Sequence, residues 1–198
     1  MYTRYMTKML TLSGEDEANA ATAANNILLM ETRLAKASRK IEDLRDPYKN
    51  YNKMAITDLN RIAANIDWIA YLKSMDVQRV DSVIVGQPEF FTALGDVLAK
   101  TPINDLKQYV KFNLLSDLSG VLPDAYGTEA FNFNKLFSGA KERRPRWKRA
   151  IQMEENAMGE MLGQLYVKEF FNETAKKRYT NMVEDIRAAL KDRIAKLS

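Results

Sequence analysis

Six basic residues crowd one short stretch, Lys141-Glu142-Arg143-Arg144-Pro145-Arg146-Trp147-Lys148-Arg149. Two kinds of chemistry suit such a run. Its arginines and lysines could neutralise phosphates while Trp147 stacks on a base, which would make a nucleic-acid site. Alternatively Trp147 is core and the arginines tie helix ends through bonds to carbonyls or carboxylates. Thirty basic residues stand against 26 acidic ones, and that near-balance favours the second reading. Carboxylates cluster at Glu15-Asp16-Glu17, Glu154-Glu155 and Glu184-Asp185. Such clusters can seat a hard cation, but none lies in a glycine-containing loop of spaced oxygens, so each reads as a solvated face. As general acids or bases, paired carboxylates would also need a cleft and opposed environments.

The chain contains no cysteine and no histidine. Disulfides, thiolate nucleophiles and Cys-ligated zinc are excluded. So are the usual general base, the usual zinc ligand and every triad built on histidine. A self-contained hydrolase is therefore a poor fit, and no catalytic, metal-ligating or cofactor-binding residue is assigned to this chain. The net charge of +4 is only weak support for a polyanionic partner. No apolar run approaches the ~18 residues of a membrane span. The opening Met1-Tyr2-Thr3-Arg4-Tyr5 lacks the apolar segment of a signal peptide.

The elements that would position these groups read as helices. A chain of 198 residues buries roughly 70% of its unfolded surface and needs no staple. Eight glycines and five prolines are few for an all-β sandwich, and good helix formers abound. The spacing predicts a mainly α fold of eight to ten helices, with at most one short β remnant near residues 80–85.

A first helix spans Tyr2 to Leu12, with Tyr5, Met9 and Leu12 on one face. A second runs from Glu15-Asp16-Glu17 to about Lys36. Its inner face holds Ala20, Ala24, Ile27, Leu28, Glu31, Leu34 and Ala35, and Glu31 calls for a basic partner if buried. Ser38 to Tyr51 has no period and turns at Arg45-Asp46-Pro47-Tyr48. Thr57-Asp58 is expected to cap a short helix, and Asp67 or Asn65 the next, with Trp68, Tyr71 and Leu72 inward. Val80 to Val85 is β-branched, with no partner strand evident.

Helices follow from Pro88 and from Thr101-Pro102. The latter is expected to turn Ile103, Leu106, Val110, Leu114 and Leu118 inward. Pro123 opens another, ending at Gly139. After Pro145, Trp147, Ile151, Met158, Leu162 and Leu165 share a helical face. Gly159 and Gly163 are expected to pack closely against another helix, and Met153, Met158 and Met161 to fill gaps. Asn172 can cap a last helix with its seam at Val183, Ile186, Leu190, Ile194 and Leu197, and with a Glu184–Arg187 pair.

Several segments, in order and in register, resemble the neprilysin family of zinc metallopeptidases, in the helical domain that precedes the catalytic core. They are Glu31-Thr32-Arg33-Leu34-Ala35, Tyr51-Asn52-Lys53-Met54, Ile66-Asp67-Trp68 with Tyr71-Leu72, Val83-Ile84-Val85 before Pro88-Glu89-Phe90, and Lys135-Leu136-Phe137-Ser138-Gly139. The strongest are Arg144-Pro145-Arg146-Trp147-Lys148-Arg149 and Leu162-Gly163-Gln164-Leu165-Tyr166-Val167 with Phe170 or Phe171. Met182-Val183-Glu184-Asp185-Ile186-Arg187 also fits. One departure is Asn172-Glu173-Thr174, where many relatives carry proline after the phenylalanine.

The resemblance implies that residues 1–198 form a helical lid domain of a larger metallopeptidase. Such a lid caps the active-site chamber and limits oligopeptide substrates by size. Zinc would be held by a His-Glu-x-x-His helix in a separate catalytic domain, which would be this chain's partner. Arg144, Pro145, Arg146, Trp147, Leu162, Gly163, Leu165 and Tyr166 then carry family motifs with structural roles, and neither nucleic acid nor membrane is contacted. The family works mostly outside the cytoplasm, often membrane-anchored. The lack of cysteine resembles its bacterial members, which points to periplasm or cell surface. The alternative, from the residues alone, is a free-standing helical module whose Arg143–Arg149 cluster binds nucleic acid or an acidic partner.

Overall fold

The alanine period of residues 17–37 becomes a 21-residue helix on which the first half of the fold is assembled. In the computed structural model, which describes residues 1–197, α1 (Tyr2–Leu12) and α2 (Glu17–Ala37) pack against each other. Gly14 between them has φ +98°, a left-handed conformation that favours glycine. Asp16 caps α2 by accepting from the N–H groups of Ala18 and Asn19, at 3.0 and 3.1 Å. The buried face of α2 is Ala20, Ala23, Ala24, Ile27 and Met30. Its short side chains let α1 approach and bury Tyr5, Met6, Met9 and Leu10. Leu28 and Ala35, expected on this face, are exposed; the buried stripe is turned toward Ala23 and Met30.

The same core takes Phe112 from α6 (Ile103–Asp117) and Ala130 from α7 (Asp124–Ser138). The Tyr5 ring stacks on Phe133 at 4.5 Å between centroids and meets Phe112 edge-on at 5.7 Å. On α6 the buried residue is Phe112, not the expected seam. Ile103, Val110, Leu114 and Leu118 are exposed. They lie on the opposite side of the helix from Phe112 at 100° per residue, so α6 is apolar on two faces. Gly139 ends α7 in the left-handed region, φ +68°.

A smaller second core surrounds Leu59, Ala63, Trp68 and Val85. Its frame is β1 (Lys53–Ala55), α3 (Ile56–Ile62), α4 (Trp68–Ser74), β2 (Ser82–Ile84) and α5 (Pro88–Lys100). Asp67 caps α4, accepting from Ala70 N–H at 2.9 Å. Trp68 goes inward and its indole N–H donates to Ala63 O, whereas Tyr71 is exposed. Ala55 is the N-cap of α3 and no side chain caps it, so Thr57 and Asp58 sit in its first turn.

β2 lies where the β-branched run predicts it, and its partner is inside the chain. It pairs antiparallel with β1, in the register Lys53↔Ile84, Met54↔Val83, Ala55↔Ser82. Among the described residues these are the two strands, beside nine α-helices.

Residues 1–141 form one compact unit, and a second begins at Glu142. The second consists of α8 (Arg146–Phe170) and α9 (Glu173–Ala195). Asn172 caps α9 by accepting from Ala175 N–H at 2.9 Å, and Arg187 pairs with Glu184 at 3.1 Å, both as expected. Neither helix has a buried residue. Their seams, including Trp147, Ile151, Leu165, Val183, Ile186, Leu190 and Ile194, are exposed.

Candidate functional site

The family-motif residues fall in two groups on α8, separated by a break. Met158 leaves helical geometry, at φ −136° and ψ 22°. The sequence shows no proline there; Gly159, next in the chain, is the local weak point. Upstream, Pro145 stands just outside the helix as its N-cap, with φ −52° and ψ 149°. Its ring fixes the entry angle. The Arg149 guanidinium donates to the Arg144 carbonyl at 2.9 Å, so one arginine is spent locally on securing the helix start. The Lys148 ammonium lies 5.2 Å from the Trp147 ring centroid, a cation–π arrangement. Trp147 is 61% exposed, which overturns its expected place in the core of this chain.

Downstream of the break, Leu162 and Gly163 are half-buried, while Leu165 and Tyr166 are exposed. The Tyr166 ring leans on Phe170 at 5.2 Å. A Cβ placed on Gly159 or Gly163 would meet nothing within 4 Å, so the close helix approach expected at these glycines is not present. Met153, Met158 and Met161 are exposed and fill no gap.

The carboxylates are engaged in structure rather than gathered for chemistry. Glu15 accepts from the Lys111 ammonium at 2.7 Å and from Gln108 at 3.3 Å, which holds its carboxyl below the usual range. Asp16 is a cap, and Glu184 is paired. Glu31 has the Tyr2 hydroxyl as its partner, at 3.0 Å, where the sequence led us to expect a basic residue. Burial raises the Glu31 carboxyl. The Tyr2 hydroxyl is pushed well above its ordinary value, by burial first and by the Glu31 charge second. Among the described residues no three carboxylates converge on a point where a metal could sit. With histidine and cysteine absent as well, the residues present do not fit a zinc site.

One polar assembly was not legible in the sequence. The crossover from α2 to β1 is clasped at its base by Arg39. This guanidinium grips both Glu89 oxygens at the start of α5 and donates to Lys49 O at 2.8 Å and Asn50 Oδ1 at 3.1 Å. The Arg39 backbone N–H donates to Gln87 Oε1 at 2.7 Å. Asn52 Nδ2 adds bonds to Lys49 O and Val85 O. Within the loop, Asp46 accepts from the N–H groups of Tyr48 and Lys49, making the expected turn. Glu89 is held below the ordinary carboxylate range by its bonds to Arg39. Arg39 and Glu89 stand 50 positions apart in sequence, so no local signal announced this contact.

Among known proteins, residues 1–198 match the model for the N-terminal part of peptidase family M13. The chain is 27% identical to an endothelin-converting enzyme homolog of Locusta migratoria, over 99% of this chain and 28% of that protein. It is 24% identical to a neutral endopeptidase of Lactobacillus helveticus, over 94% of this chain and 29% of that one. A crystal structure of a Mycobacterium tuberculosis zinc metalloprotease in complex with an inhibitor is similar, with TM-score 0.82 and 27% identity over 95% of this chain and 29% of that chain. The chain thus spans less than a third of the length of each of these relatives. With a match along its whole length, the chain belongs to peptidase family M13 and corresponds to the N-terminal region of its metallopeptidases.

Proposed function

We propose that this chain is the non-catalytic helical region of a zinc metalloendopeptidase, roofing an active-site chamber completed by the rest of the polypeptide and admitting oligopeptides by size. One observation carries the reading: the whole chain matches a peptidase family, yet holds no histidine with which to bind a catalytic zinc. Zinc, the general base and the scissile peptide then belong to a catalytic part outside these residues. What this region contributes is steric. The uncovered apolar stripes of α8 and α9 support the reading, because stripes of that extent call for packing against a further body. The reading includes an extracytoplasmic setting, in a bacterial periplasm or at a cell surface.

The test compares the chain alone with the full polypeptide on a series of fluorogenic peptides of increasing length. The chain alone is expected to show no turnover, with or without added zinc. The full polypeptide is expected to cleave short peptides, lose activity to a chelator, and slow sharply beyond a limiting substrate length. Zinc-dependent turnover by the chain alone overturns the assignment. Equal rates on short peptides and long unfolded proteins overturn the roofing role.

A further inference from the structure

In an antiparallel pair, backbone groups alternate between facing the partner strand and facing outward. Val85 N–H donates to Asn52 O at 3.0 Å, and Ile56 N–H to Asp81 O at 3.2 Å. With Met54↔Val83 between them in register, these bonds fix which residues face inward. The N–H and C=O groups of Ser82 and Ile84 therefore point away from β1. Among the described residues the sheet has two strands, so this edge of β2 carries no further strand.

Proteins commonly protect an open edge with lysine, proline or a bulge. The β1 edge carries Lys53, whereas β2 reads Ser82-Val83-Ile84 and has no such guard. Ile84 is 58% exposed. Just before β2, Val80 and Asp81 help line a cavity of about 380 Å³, whose apolar wall includes Ile56, Ile69, Leu72 and Val77. Ile69 and Val77 are exposed as well. A three-residue edge and a small hollow bury too little to hold a separate partner tightly, whereas a segment of the same polypeptide adds to them at high effective concentration.

We propose that an extended segment of the same polypeptide, outside this chain, adds a third strand along Ser82–Ile84 and seats an apolar side chain in the adjoining cavity. The inference rests on the reading of the chain as part of a larger metallopeptidase. Its matched relatives are more than three times as long, so the polypeptide has ample length outside these residues to supply a strand.

Amide hydrogen exchange on the full polypeptide tests this, read at Ser82, Val83 and Ile84. The Ser82 and Ile84 amides are expected to exchange within ~10-fold of Val83, which is bonded to β1. That protection should not change with protein concentration or with added oligopeptide. Ile84→Pro, which removes an outward N–H, should abolish protection at Ser82 while leaving Val83 slow. Exchange at Ser82 and Ile84 as fast as at exposed Arg79 overturns the proposal. Protection appearing only with added oligopeptide gives the edge to a substrate, and protection growing with concentration gives it to a second copy; either result also overturns it. Peptidase activity measured on the same sample keeps the two readings separate. An inactive polypeptide with slow Ser82 and Ile84 amides refutes the functional reading alone, and an active one with fast amides refutes the strand alone.

Discussion

The Tyr2 hydroxyl and the Glu31 carboxyl meet at the α1–α2 joint without a cation between them. Each is pushed upward, chiefly by burial, so both favour their neutral forms in the folded chain. For Tyr2 the stabilisation is fully present below the ordinary tyrosine value and is lost as pH rises above ~10. For Glu31 the raised value means that stability increases as pH falls through the carboxylate range. Tyr2→Phe strips Glu31 of its partner and should cost ~1–2 kcal/mol at neutral pH. It should also flatten the alkaline loss above pH ~10, which urea unfolding at several pH values would read. Gly95 carries a different constraint. A Cβ there would meet Ala63 Cβ at 2.9 Å and Asn65 Oδ1 at 3.0 Å, while Asn65 Nδ2 bonds the Gly95 carbonyl. Because the nearest obstacle includes Ala63 backbone at 3.3 Å, Gly95→Ala should destabilise by ~1–3 kcal/mol, seen as a lowered Tm.

At the level of elements, the Arg39 clasp holds a loop whose tip presents Ile41, Leu44, Tyr48 and Tyr51 to solvent. Arg39→Lys keeps the charge but cannot make the fork to Glu89 and the two bonds to the loop together. Limited proteolysis should then cut faster within residues 40–51, with the α1–α2 core unaffected. In α8, Gly159 has open space around a Cβ and follows the break at Met158. Gly159→Ala should stiffen that region and stabilise the helix by up to ~1 kcal/mol, read as gained helical signal and a higher Tm.

These elements differ in how well the residues announced them. α2 was readable because small apolar residues repeat over 21 positions, and its cap, Asp16, is of the right type. β1 was not, since three residues cannot display a period and their pairing spans the intervening α3 and α4. On α6 the period was real but double, and periodicity alone cannot say which apolar face a neighbour will take. On α8 the helix was legible and its break was not, because a lone glycine inside a helical pattern is usually tolerated. The motif residues marked the family correctly, yet they did not tell that Trp147 stands open to solvent in this chain.

For the molecule as a whole, burial is uneven. The core residues sit in α1 to α7, with Ala63 just after α3 and Val85 just after β2, while α8 and α9 bury none. The chain alone should therefore bind a hydrophobic dye strongly, and the full polypeptide should bind much less of it. Equal dye binding by the two would show that the stripes face water in the finished protein. The open stripes also bear on how such a protein is made. If the catalytic part follows this region and brings a relative-sized length, ribosomes adding ~5–20 residues per second need on the order of half a minute to two minutes to deliver it. For most of that interval α8 and α9 stand outside the exit tunnel while the part that would cover them is incomplete. The nascent chain is then a natural client for holding chaperones, and slowing translation after α9 should raise aggregation more than slowing it before α8.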